Sequence, residues 1–256
     1  MKKLITIFLL FTTTLIYPAQ KEIFSDGEYL EYNVSFWGID LGNIKIYTDS
    51  ATVLNGIDVY KHHVTMKSNP SIPFVSLDAT FNSWIDTSYD YSHEFIGTEK
   101  CDDIVEQGHI RFLYDINRMK IDITENGKKV DHLNYYTKKN WNDGTSLFYY
   151  ARKHVDDRQR IVVPTIITKD TSTTVFYFNG ERESVEVDAI NYPVKCVYFN
   201  GQALWEGIYG MNGKFQGWFS DDDASIPILA KMNVYVGNVR IELVDWKRKN
   251  WQAPRY

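Results

Sequence analysis

The stretch Tyr29-Leu30-Glu31-Tyr32-Asn33-Val34-Ser35 sets the reading of the whole chain. Leu30, Tyr32 and Val34 occupy alternate positions, which as a strand would share one face. The same period recurs downstream. Gly42 to Tyr47 places Ile44 and Ile46 together, and Val59 to Met66 repeats the pattern. His109 to Tyr114 and Arg118 to Glu125 read as a hairpin, and Asn126-Gly127 then turns the chain into Lys129 to Tyr136. Ile161 to Thr168 and Thr173 to Asn179 flank a polar turn at residues 169–172. Asn179-Gly180 and Asn200-Gly201 read as two further turns, around Glu183 to Ile190 and Val194 to Phe199. Phe215 to Ser220, Lys231 to Val236 and Val239 to Trp246 complete the set. Roughly a dozen strands with short connections imply an all-β fold, a large curved antiparallel sheet or a barrel-like one.

One segment departs from period two. From Asp143 to His154, Leu147, Phe148 and Ala151, followed by Val155, fall at helical spacing, with Thr145 or Ser146 placed to cap the first turn. A short mid-chain helix is expected there, plugging or crossing the sheet. No fixed repeat or low-complexity linker divides the chain, so residues 20–256 read as a single β-rich domain.

The N-terminus carries Lys2 and Lys3, an apolar and Thr run from Leu4 to Ile16, and Ala19 as a small residue before a cut. Residues 1–19 therefore read as a signal peptide. The run is too short to span roughly 30 Å of hydrocarbon as a helix, and no later stretch is long enough either. The expected location is the periplasm, or the medium after secretion. Losing Lys2 and Lys3 moves the formal charge from −5 to −7. An acidic exported protein has no electrostatic route to nucleic acid. Cys101 and Cys196 match neither a metal nor a CxxC redox spacing, and an oxidising compartment leaves both a disulfide and two buried thiols open.

Three blocks, in order, carry a family resemblance. The first is Gly27-Glu28-x-Leu30-x-Tyr32-x-Val34 with Gly38 and Gly42. The second runs from Asp143 through Ser146, Tyr149 and Tyr150 to Arg152. The third is Trp218-x-Ser220-Asp221-Asp222 with Ile226-Pro227 and Gly237. From about Phe24 to about Trp246 the chain resembles exported bacterial proteins of domain-of-unknown-function family 3108. The resemblance implies an exported protein with a large curved or barrel-like β-sheet, and it implies no activity. The chain departs from the pattern at Asp223 and at Ala224-Ser225, where bulkier or basic residues are expected.

The chemistry in these blocks is sparse. Glu28, Arg152, Asp221 and Asp222 form a candidate polar cluster, with Arg152 reaching Glu28 or the acidic loop in a forked ion pair. Contiguous Asp221, Asp222 and Asp223 lack the spread of a calcium loop and read as a turn that caps backbone amides. Adjacent His62 and His63 would point to opposite faces of a strand, and no HxH or HExxH occurs, so no metal or other cofactor is expected. No catalytic residue is assigned.

The chain holds 18 Tyr, 14 Phe and 7 Trp; most are expected to fill a sheet core, and in the functional reading some line a cavity for an apolar or glycan ligand. Tyr149, Tyr150 and Trp218 are the residues expected to border it. The favoured reading is a non-catalytic envelope protein that binds a lipid-like or other amphiphilic ligand. The alternatives are a carboxylate-dependent enzyme acting on envelope glycans through Glu28 and Asp222, or a scaffold of an envelope assembly with a protein partner.

Overall fold

The structure is a computed structural model that describes residues 21–256 apart from 73–75, 102, 208–211 and 235–236. The signal-peptide reading of residues 1–19 lies outside the described residues.

The strands are β1 (Tyr29–Phe36), β2 (Ile39–Leu54), β3 (Ile57–Ser68), β4 (Asp78–Asp86), β5 (Ser92–Cys101), β6 (Ile104–Leu113), β7 (Arg118–Glu125) and β8 (Lys128–Tyr136). One helix follows, α1 (Gly144–His154). The chain then continues through β9 (Arg160–Ile167), β10 (Asp170–Val187), β11 (Ile190–Ala203), β12 (Asn212–Ser220), β13 (Pro227–Val234) and β14 (Gly237–Lys247). All fourteen belong to one sheet in the order β8-β7-β6-β5-β4-β3-β2-β1-β14-β13-β12-β11-β10-β9. The chain starts at the centre, meanders to one edge, crosses by α1 to the other edge and meanders back. The first and last strands pair in the middle, with Leu30 opposite Trp246 and Val34 opposite Ile241.

Local chemistry explains the reversals. Asn55-Gly56 and Asn126-Gly127 have positive φ at both residues, as the tight two-residue turns of twisted hairpins require. Trp37-Gly38 does the same between β1 and β2, which leaves Trp37 exposed at the tip.

Two expected turns are not turns. Asn179-Gly180 and Asn200-Gly201 lie inside the long strands β10 and β11. The register jumps from Phe178 opposite Phe199 to Glu181 opposite Tyr198, so Asn179-Gly180 is a bulge. Gly201 serves close approach instead, because a Cβ there would come within 2.2 Å of the Phe215 ring and 2.5 Å of the Val175 carbonyl. Beyond the bulge the hairpin folds back across the sheet. Arg240 donates to the Glu186 carbonyl (3.3 Å), and the Asp188 amide donates to Glu242 (2.9 Å). Two strands, β4 and β5, were not anticipated.

The sheet is open but curls on itself. Ile166 of edge strand β9 shares a buried cluster with Ile110, Met119 and Ile121 of β6 and β7. The segment before α1 stitches the seam. The Asn142 amide donates to Pro164, the Ile166 amide donates to Asn142, and the Ser92 amide donates to the Trp141 carbonyl, each at 2.9 Å.

The cap of α1 is Asp143, not Thr145 or Ser146. Its side chain accepts from the amides of those two residues at 2.7 and 2.9 Å. It also accepts from the hydroxyls of Ser83 (2.7 Å) and Ser92 (2.5 Å) on β4 and β5. Burial holds the Asp143 carboxyl above its ordinary range, while these four donors work against that shift. Asp143→Ala is expected to cost about 2–3 kcal/mol, from the lost cap and the stranded buried hydroxyls. Asp143→Asn, which keeps an acceptor, should recover part of that in urea melts.

Candidate functional site

The helix sorts its side chains onto two faces, and each face builds a different environment. Tyr149 and Arg152, three residues apart, share one face and enter a buried polar cluster. Arg152 is fully buried. It donates from Nη1 to Glu28 Oε1 (2.7 Å), and from Nη2 to Glu28 Oε2 (3.1 Å) and to the Ala224 carbonyl (3.0 Å). Arg248, nearly buried, donates to the same Glu28 carboxylate and to the carbonyls of Ile23 and Glu22. Burial alone would raise the Glu28 pKa, but Arg152 and then Arg248 outweigh it and hold the carboxyl below the ordinary range. Glu28 is therefore a fixed anion that ties the N-terminal segment, α1, the 224 turn and the C-terminal tail together.

Aromatic rings pack around this pair. Tyr149 shares a hydrogen bond with Thr48 at 3.0 Å, and its ring lies 3.7 Å from that of His62. His62 is fully buried with neither ring nitrogen bonded. Burial, then the charge of Arg152, pushes its pKa far below the usual value and keeps it neutral. His63 turns the other way, to Asn82, as the alternation of a strand dictates.

The pairing of Glu28 with Arg152 stands as expected, but the acidic loop does not join it. Asp221 binds Arg182 (3.1 Å) and Lys195 (2.8 Å). Asp222 caps its own turn, accepting from the amides of Ala224 (3.1 Å) and Ser225 (3.0 Å), from Ser220 (2.8 Å) and from the Trp251 indole (2.9 Å). The loop reaches Arg152 only through a backbone carbonyl. With Glu28 held by two guanidiniums and Asp222 by four donors, neither is left to serve as a paired acid and base for glycan chemistry. Among the described residues no group of three His, Cys, Asp or Glu is placed to hold a metal. Cys196 is a free, buried thiol, and the side chain of Cys101 lies outside what the structure describes.

The other face of α1 opens onto a cavity of about 340 Å³ inside the curl. Thr145, Phe148 and Ala151 line it from the helix, and Ile44, Met66 and Phe81 from the sheet. Phe215, Gly217 and Phe219 line the opposite wall. The walls are overwhelmingly apolar, and the volume lies within the roughly 300–1,000 Å³ of ligand pockets.

The cavity is not bordered by Tyr149, Tyr150 or Trp218. A step of one residue on a helix turns about 100°, so Phe148 takes the inward position and Tyr149 goes to the polar cluster. Tyr150 is half-buried against Phe176 and His154. Trp218 alternates with Gly217 and Phe219 and so faces the far side of β12. There its indole donates to Glu183 (2.6 Å), and the Lys231 ammonium lies 5.3 Å from the ring centre.

A curled, open antiparallel sheet that closes on an apolar cavity beside a single helix defines a barrel-like β protein. No helix among the described residues is long and apolar enough to cross a membrane. The chain belongs to the family described as protein of unknown function (DUF3108), whose pattern matches residues 31–244. Nothing among the curated proteins matches it. Among solved structures it is similar to the crystal structure of a β-barrel-like protein of domain of unknown function DUF1849 from Brucella abortus. That likeness has a TM-score of 0.60 at 10% identity, over 89% of this chain and 100% of the other. At so low an identity it speaks to the fold alone.

Proposed function

We propose that the protein is an exported, periplasmic, non-catalytic binding protein that holds an apolar or amphiphilic envelope molecule in the cavity beside α1. The cavity itself carries this reading. A scaffold would gain from filling its interior, since unfilled apolar volume costs stability. Here the sheet curls around open apolar space instead. The buried Glu28–Arg152–Arg248 cluster acts as a latch that fixes α1 as one wall of the cavity. Export rests on the basic and apolar character of residues 1–19, with residues 20–256 as the mature β-rich domain.

Native mass spectrometry of protein purified from the periplasm of its source cell tests both parts. The expected species is the mature chain starting near Gln20, carrying a solvent-extractable adduct near one per chain. Recovery in the cytosol with Met1 retained would contradict export. A mature chain with no adduct, together with no uptake of apolar probes, would contradict binding.

A further inference from the structure

The cavity wall carries one uncompensated charge pattern. On β5 and β6, Phe95 stands opposite Ile110, Gly97 opposite Gly108 and Glu99 opposite Glu106. All six residues line the cavity. The wall thus runs from two apolar side chains, across bare backbone, to two facing carboxylates. A Cβ at Gly108 would meet nothing within 4 Å, so the glycine leaves open the approach to the acids. Outward along the same row, Glu106 stands opposite Glu125, an exposed third acid.

Like charges directly opposite each other in a sheet are destabilising. Among the described residues no cation or hydrogen-bond donor offsets the half-buried Glu99 and Glu106, whereas the fully buried acids, Glu28 and Asp143, are both partnered. Among the described residues one lysine lines the cavity, Lys231, and it is engaged with the Trp218 ring. Burial, and then the charge of Glu106, holds the Glu99 carboxyl above its ordinary range, the mark of a carboxylate short of a counter-charge.

Resting on the cavity reading above, we infer that the ligand is a cationic amphiphile: its apolar tail occupies the cavity, and its amine or quaternary ammonium head sits against Glu99 and Glu106. A ligand with an anionic head, such as a free fatty acid, would meet like charge at the same place.

The test is a competition assay at neutral pH and physiological salt with monomeric ligands of equal chain length, dodecyltrimethylammonium and dodecanoate, displacing the neutral probe N-phenyl-1-naphthylamine. The wild-type protein should bind the cation at least about tenfold more tightly, equivalent to roughly 1.4 kcal/mol. In the Glu99→Gln/Glu106→Gln double variant that preference should fall below about threefold while the neutral probe still binds. Removing two facing like charges should leave the melting temperature unchanged or raise it, so loss of fold would not confuse the result. Equal or tighter binding of dodecanoate by the wild type, or a preference that survives in the double variant, overturns the inference and leaves the cavity reading standing. Failure of the wild type to bind all three compounds overturns both.

Discussion

Arg152→Ala is expected to cost on the order of 3–5 kcal/mol, the largest stability loss of any single substitution considered for this protein. Arg152 is fully buried, and among the described residues it alone grips both oxygens of Glu28 while also satisfying the Ala224 carbonyl. Its removal leaves the Glu28 anion to Arg248 alone and opens a hole under Phe148 and Tyr149, whose rings lie 5.8 and 5.3 Å from the guanidinium. At roughly 2–4 °C per kcal/mol for a chain of this size, the melting temperature should fall by about 6–20 °C. Glu28→Gln should also destabilise, and the double variant Glu28→Gln/Arg152→Ala should cost less than the sum of the two, because the partners stand or fall together. The pH dependence has a definite sign. The Glu28 pKa is depressed in the folded state, so its contribution is present above the ordinary glutamate range and is lost as pH falls through the folded value. Acid should therefore destabilise the wild type more steeply than Glu28→Gln. An unchanged melting temperature for Arg152→Ala would contradict the latch.

Ala230→Trp is expected to abolish ligand uptake. Ala230 lies opposite Gly217 on β12 and Ile241 on β14, and all three line the cavity. An indole added there enters the open volume rather than the packed core. Affinity for N-phenyl-1-naphthylamine should drop at least about 30-fold, or roughly 2 kcal/mol. The fold should survive, since the new ring has room. Trp218→Ala is the matched control. It deletes an indole from the same neighbourhood but on the far side of β12, where the ring contacts Glu183 and Lys231, so affinity should stay within about threefold. The reverse pattern would place the ligand on the other side of the sheet.

These two substitutions also mark what a single sequence can and cannot convey here. The pairing of Glu28 with Arg152 was legible, because two opposite charges set among apolar residues must find each other. Arg248 was not, since a lone arginine past the last strand carries no local signal that it shares the same carboxylate. Alternation separated Trp218 from Phe219 correctly. It could not say which face was concave, because β12 is covered on both sides once the β10–β11 hairpin folds over at its bulge. The Asn-Gly pairs at 179 and 200 look identical to the true turns at 55 and 126, and only the register across the strands distinguishes them.

The misses at β4 and β5 have a different cause. Their inward positions include Ser83, Gly97 and Glu99, where a packed sheet would place apolar residues. Ser83 serves Asp143 beneath the helix, and Gly97 and Glu99 face the cavity. Alternation weakens where the inner face stops being packed core and opens onto the cavity.

The most direct test of the account is fluorescence titration of the purified wild-type protein with N-phenyl-1-naphthylamine, beside Ala230→Trp. The account predicts saturable binding near one probe per chain in the wild type and its loss in the variant. No saturable binding by the wild type, or equal binding by the two proteins, would contradict the claim that the cavity beside α1 is a ligand site.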